Sequence, residues 1–192
     1  MAIVDGYATL ASLKERLYIT GTKYDTVLEQ VIEAASRQID GWCNRAFPSG
    51  EGTRYLTADN AGMVILPEDL HAVTEIAPDR DDALVYETVW PLDAVLLMPF
   101  QTPYAVLRPR PGYSFPLHRH AVRITGSWGF GATIPAAIRE ACLLQAARLY
   151  KRKDAPFGVT GSAEHGQLQT ISRVDPDIKE LIEPFIRHWM VV

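Results

Sequence analysis

Only two cysteines, Cys43 and Cys142, occur in the 192 residues. That is too few for a disulfide scaffold, and each falls inside a helical pattern, which suits buried free thiols in a reducing compartment. No stretch approaches the roughly 18 consecutive apolar residues that a bilayer span requires, so no membrane association is expected. The opening MAIVDGYATLA has no basic region and carries Asp5, and so does not read as a secretory signal. A cytoplasmic origin is the expectation. Excess positive charge is also missing: the formal net charge is -4. General attraction to nucleic acid or anionic lipid is thereby excluded, and any contact with DNA has to be local. Internal repeats and low-complexity tracts are absent.

What the chain does have is apolar bulk. At 47% apolar and 22% charged residues it can bury a sizeable core, as one domain with an insertion or as two small ones. Ser12 and Glu15 read as a capping box for a short helix, SLKERLYI, ended by Gly21. Asp25 is a candidate N-cap for the next. There Leu28, Val31, Ile32, Ala35, Ile39 and Trp42 recur at three- and four-residue steps and define a buried face. Gly41 lies inside that pattern and implies either a loose last turn or a close neighbour.

From Pro48 to about Gly131 the texture changes to short β-branched and aromatic runs broken by Pro, Gly, Asn and Asp. The candidate strands are TRYLT, GMVIL, AVTEI, ALVYETV, VLLM, YAVLRP and AVRITGSW. Thr133 and Pro135 then open the strongest helix, PAAIREACLLQAARLYKRK. A glycine-rich loop comes next, then the strand-like LQTISRV. A last helix is capped by Asp175, started by Pro176 and interrupted by Pro184. The expected fold is α+β: a small core of about four helices, with a β-rich subdomain inserted between the second and third. The boundaries are 1–47 for the N-terminal helices, 48–132 for the insertion and 133–192 for the C-terminal helices.

Four stretches bear on chemistry. GSWGFGAT, Gly126 to Thr133, has the glycine frame of a phosphate-binding loop, but Ala132 stands where that loop needs lysine, Trp128 and Phe130 add bulk, and Pro135 deletes a donor. It reads as a joint between strand and helix whose glycines serve geometry, with Trp128 packing on the helices. His118 and His120, two apart, would share one face of a strand and could begin a metal site, though no third ligand is apparent nearby. The run DRDD, Asp79 to Asp82, lacks the glycine and distal glutamate of a calcium loop and reads as a solvated turn. KRK, Lys151 to Lys153, closes the strong helix, where cations complement the partial negative charge of the last carbonyls or face a phosphate.

Three stretches, VLEQVIEAASRQIDGWCNRAF, ITGSWGFGATIPAAIREACLLQAARLYKRKDAPFG and ISRVDPDIKELIEPF, cover roughly two fifths of the chain. In that order they resemble the head–tail connector, or adaptor, proteins of long-tailed double-stranded DNA phages and related gene-transfer particles. No single motif is diagnostic; the ordered set is. The resemblance implies a helical core carrying a β region and a ring of about twelve copies closed by heterologous interfaces beneath the portal. It also implies a tail-side stopper or terminator as neighbour, non-specific contact with DNA, and no enzymatic activity, cofactor or metal. Residence in the neck of a particle assembled in the bacterial cytoplasm is implied by the same resemblance. On it, Arg148, Lys151, Arg152 and Lys153 are candidates for the DNA channel, and Ile182, Phe185, Ile186, Trp189 and Met190 for docking on the portal. The long β block between the second and third helices departs from the shorter members. Two other readings are a small metal-assisted hydrolase using His118 and His120, and a ligand-binding β module.

Overall fold

The computed structural model describes residues 6–152, 159–160, 169–170 and 174–188. The chain divides into two compact units, Met1–Asn44 with Ile134–Val192, and Arg45–Thr133.

The first unit is helical. Helix α1 is Leu10–Leu17, α2 Asp25–Cys43, α3 Ala136–Lys151 and α4 Pro176–Ile182. The N-cap of α1 is Thr9, whose hydroxyl accepts from the Ser12 amide at 3.2 Å, so the cap lies one turn before the expected Ser12 and Glu15 box. The helix ends before Gly21, at Tyr18, which adopts a left-handed φ of 55° and returns its N–H to Glu15. Helix α2 starts one residue after its cap, Tyr24, with Asp25 as its first residue, where the charge still favours the helix N-terminus. Leu28, Ile32, Ala35, Ile39 and Cys43 are fully buried. Burying each of the Leu and Ile side chains stabilises the unit by about 1.5–3 kcal/mol. Gly41 has open space where a Cβ would stand, so no close neighbour explains it.

Helix α3 presents Ile138, Ala141, Cys142 and Ala146 to α1, α2 and α4. Its two small alanines on that face permit close approach of the neighbouring backbone. Ser36 and Cys142 meet at 3.4 Å, with Ser36 also accepting from the Tyr7 amide and donating to Ile32 O. Both cysteines are buried and neither is in a disulfide, and burial pushes the Cys142 thiol up. Asp175 caps α4 by accepting from the Asp177 amide. The helix stops at Ile182, two residues before Pro184, and a single 3-10 turn comes after it. There the Arg187 amide donates to Cys43 O at 2.8 Å, tying the segment back to the end of α2. Val159–Thr160 and Gln169–Thr170 pair as a two-residue ladder, and the rest of that stretch lies outside the described residues.

The second unit is the insertion between α2 and α3, a five-stranded antiparallel sheet. Strand β1 is Gly50–Leu56, β2 Val64–Pro78, β3 Val95–Met98, β4 Tyr104–Pro109 and β5 Val122–Trp128. The order is β1-β5-β2-β4-β3, with Gly50 opposite Trp128, Pro78 opposite Val122, and Met98 opposite Val106. The sequence splits β2 in two because Pro67, Glu68 and Asp69 look like a break. The structure instead carries them within one strand whose register shifts between Ile65 and Leu70, a place where a sheet tolerates proline. ALVYETV is not a strand. Leu84, Val85 and Val89 are exposed, and Asp82 and Leu84 take left-handed φ values of 60° and 58°. The segment rejoins the sheet at Trp90, whose amide bonds Ile76 O and whose ring stacks on Phe115 at 5.1 Å. Leu66, Leu70, Ile76, Leu107, Ile124, Trp90 and Trp128 share one core with their neighbours.

Candidate functional site

The glycine joint is fully committed to the fold. The Gly129 amide donates to Asp69 O at 2.7 Å, that of Phe130 to Ala46 O at 3.0 Å, and that of Gly131 to Phe47 O at 3.3 Å. A phosphate cradle needs such donors converging on an anion, and here each ends on a carbonyl. A Cβ on Gly126 would stand 2.2 Å from Ala72 O. Gly129, at φ +127°, would bring one within 2.3 Å of Pro48 O. Gly131 is different, since nothing lies nearer than 3.9 Å, so two of the three glycines are sterically required. Trp128 sits in the sheet core instead of serving the helices, donating from Nε1 to Gly52 O at 2.9 Å beneath the Arg54 guanidinium.

The basic end of α3 is only partly available to a polyanion. Arg148 turns its guanidinium toward the Asp175 carboxylate, 3.7 Å away, and so links α3 to the cap of α4. Lys151 and Arg152 are exposed, and Lys153 lies outside the described residues. In the last segment Ile182 is 2% exposed and its bulk is spent in the helical unit's own core. The reason is its helical position: Ile178 and Ile182 are four apart on the face of α4 that turns inward. Phe185 and Ile186 are half-buried, and Trp189 and Met190 lie outside the described residues.

His118 and His120 do not act together. Both fall in the turn before β5, where His120 adopts φ 55° and its Nδ1 faces Tyr55 O. His118 turns the other way, with Nε2 2.9 Å from the Asp79 carbonyl and Nδ1 3.3 Å from Asp82 Oδ1. A carbonyl only accepts, so Nε2 carries a proton. Burial alone would lower the His118 pKa. The carbonyls of Arg119 and Asp79 and the carboxylates of Asp82 and Asp79 outweigh it, and the group titrates above its usual value.

One ligand atom from each of Asp79, Asp82 and His118 falls within 4.8 Å of the others, a cluster that the spacing of neither segment foretells. Sheet register creates it. Strand β2 ends at Pro78 opposite Val122, and the Asp79 amide bonds Ala121 O at 2.7 Å, so the loop leaving β2 meets the turn entering β5. Asp79 is fully buried. Burial would raise its pKa, but the amides of Leu84, Asp81 and Ala83 and the Asp81 side chain face the carboxylate and lower it. Leu84 N donates to Oδ2 at 2.9 Å, whereas Oδ1 is buried and receives no well-formed hydrogen bond.

Elsewhere in the sheet unit the residues lining a cleft of about 250 Å³ include His71, Ala72, Val73, Ile76, Val95 and Tyr104. It is small and mostly apolar beside ordinary ligand sites.

Residues 7–82 match the model of a family described as phage gp6-like head-tail connector protein. Among solved structures, the fold matches a chain in the neck of an empty gene transfer agent particle computed with C6 symmetry. The identity is 22% and the TM-score 0.64, over 100% of this chain and 95% of that one. A chain in the neck of the native particle, computed with C12 symmetry, matches at 22% and 0.63 over 100% and 94%. One in the native virion matches at 23% and 0.64 over 100% and 95%. No curated protein matches the sequence. The family match takes in the first of the three resembling stretches, and the fold match extends along the whole chain. No described helix is long and apolar enough to cross a membrane.

Proposed function

We propose that the protein is a structural head–tail adaptor, one subunit of a ring in the neck of a phage or gene-transfer particle, seated beneath the portal and surrounding the DNA passage. The observation that carries this reading is the fold match over the whole chain to a neck protein of a particle computed with C12 symmetry. The connector-family match over 7–82 supports it independently. Twelve copies related by rotation would each offer two different faces to their neighbours, the arrangement that closes a ring. The role is mechanical and no catalytic step is assigned to it. Negative-stain electron microscopy of the purified chain, alone and mixed with portal-bearing heads, tests it. Rings seated on the portal vertex are expected. Monomers that never join heads would refute the reading.

Within that ring Lys151 and Arg152 are the exposed cations at the end of α3 suited to the passage. One or two per subunit make a positive belt whose hold on phosphate is non-specific and weakens with salt. Arg148 contributes to the α3–α4 link, and Lys153 continues the run in sequence. Phe185, Ile186, Trp189 and Met190 are the candidates for portal docking, as aromatic and long apolar residues dominate interface energies. Lys151→Glu with Arg152→Glu should leave the fold intact and lower DNA retention or delivery by assembled particles; Phe185→Ala with Ile186→Ala should instead reduce ring attachment to heads. Unchanged DNA transfer by the first variant, or unchanged attachment by the second, removes that assignment.

A further inference from the structure

We propose that Asp79, Asp82 and His118 form a site for a divalent transition-metal cation of the Zn2+ or Mn2+ class, which pins the Asp79–Leu84 loop to the turn that leads into β5. The observations are geometric. The three ligand atoms already lie within 4.8 Å of one another, although they come from segments about forty residues apart in sequence. Metal–ligand bonds of about 2.0–2.2 Å to imidazole and carboxylate place such atoms roughly 3–4 Å apart, so small side-chain rotations complete the site.

Two further features point to a cation. Asp79 is fully buried, and although neighbouring amides face its carboxylate, Oδ1 receives no well-formed hydrogen bond, an arrangement that is costly for a buried carboxylate oxygen. A cation bound there would supply the missing partner. His118 is held by its Nε2–H, which donates to the Asp79 carbonyl, and its Nδ1 lies 3.3 Å from both Asp82 Oδ1 and the Arg119 carbonyl; a cation would take the place of the Nδ1 proton that those acceptors share. Metal-bound histidines are held in this way, with the second ring nitrogen donating to a carbonyl or carboxylate.

The donor set selects the metal. One imidazole and two carboxylates suit Zn2+ or Mn2+, whereas Ca2+ takes six to eight oxygens. Two carboxylates with a neutral imidazole balance a dication, and the flanking Arg80 and Arg119 are exposed. Asp82, with its side chain 70% exposed, is the ligand with room to turn over the ion. Three protein donors leave a coordination position for water. The assignment does not depend on ring formation, and it replaces the pairing of His118 with His120.

The test uses the full chain stripped with chelator and titrated with MnCl2 and with ZnCl2, by calorimetry and, for Mn2+, by electron paramagnetic resonance. Saturable binding of one ion per chain is expected. Asp82→Asn and His118→Gln should each weaken it roughly tenfold or more, while His120→Asn should not change it. Asparagine tolerates the left-handed backbone at positions 82 and 120, so both of those variants should fold, and circular dichroism checks each protein. Absence of saturable binding with either ion overturns the proposal, as does binding that persists unchanged in Asp82→Asn and His118→Gln together.

Discussion

Asp69→Ala should lower the unfolding free energy of the sheet unit by about 3–5 kcal/mol. Asp69 is 4% exposed, and its carboxylate faces the Arg45 guanidinium at 3.4 Å, where that side chain is itself 13% exposed over the Phe130 ring. Two charges withdrawn from water tolerate one another only as a pair. Removing the carboxylate leaves a guanidinium in surroundings built for its counter-charge. Replacing both, as Arg45→Met with Asp69→Leu, should recover much of the loss, because apolar residues of similar volume carry no desolvation cost. Urea denaturation followed by fluorescence from Trp90 and Trp128, both in the sheet core, reports the midpoint. A single variant within about 0.5 kcal/mol of the parent would show that the pair contributes nothing.

The second large effect concerns the glycine frame. Gly126→Ala and Gly129→Ala should each cost about 3 kcal/mol or more, or leave the chain insoluble, whereas Gly131→Ala should change stability by no more than about 0.5 kcal/mol. At 126 the added carbon meets backbone, Ala72 O at 2.2 Å, with Leu70 Cδ1 a further neighbour at 3.2 Å. Backbone paired in the middle of a sheet cannot step aside as a side-chain tip can. At 129 the carbon meets Pro48 O, and the residue also needs a φ of +127°, which L side chains rarely adopt. Residue 131 meets neither obstacle. Melting temperatures of the three proteins decide the matter, and equal losses at all three positions would contradict it.

Much of the helical unit is legible in the sequence because an amphipathic helix writes its buried face at a fixed spacing. Leu28, Ile32, Ala35 and Ile39 stand out by period alone, and all are fully buried. The caps are harder to read. Thr9, Ser12, Thr22 and Asp25 all carry an oxygen able to accept from an amide, and only the geometry of the chain entering the helix decides among them. In the sheet unit, the run from Ala83 to Val89 has the composition of a strand but joins no ladder, since composition reports what a side chain prefers and not whether a ladder is within reach. Strand β2 fails in the opposite sense, because proline at a bulge looks the same in sequence as proline in a loop.

The cluster at Asp79 shows the same limit more sharply. DRDD and HRH are each unremarkable, and their meeting depends on Pro78 standing opposite Val122, a long-range register that no local pattern encodes. Arg148 groups with the exposed cations in sequence because its neighbours there are basic. Its orientation toward Asp175 depends on where α4 returns to α3.

Pro48 and Gly131 form a parallel bridge, and Ser49 N bonds Gly131 O beside it. The two ends of the inserted segment are therefore fastened to one another by their own backbone, as a doorway is latched. Whatever is hung beyond such a doorway adds little loop-closure entropy to the host, because its ends already meet. A lineage could lengthen, shorten or exchange the whole sheet as a cassette, altering what the molecule presents to its surroundings while the helical frame goes on folding by the same rules.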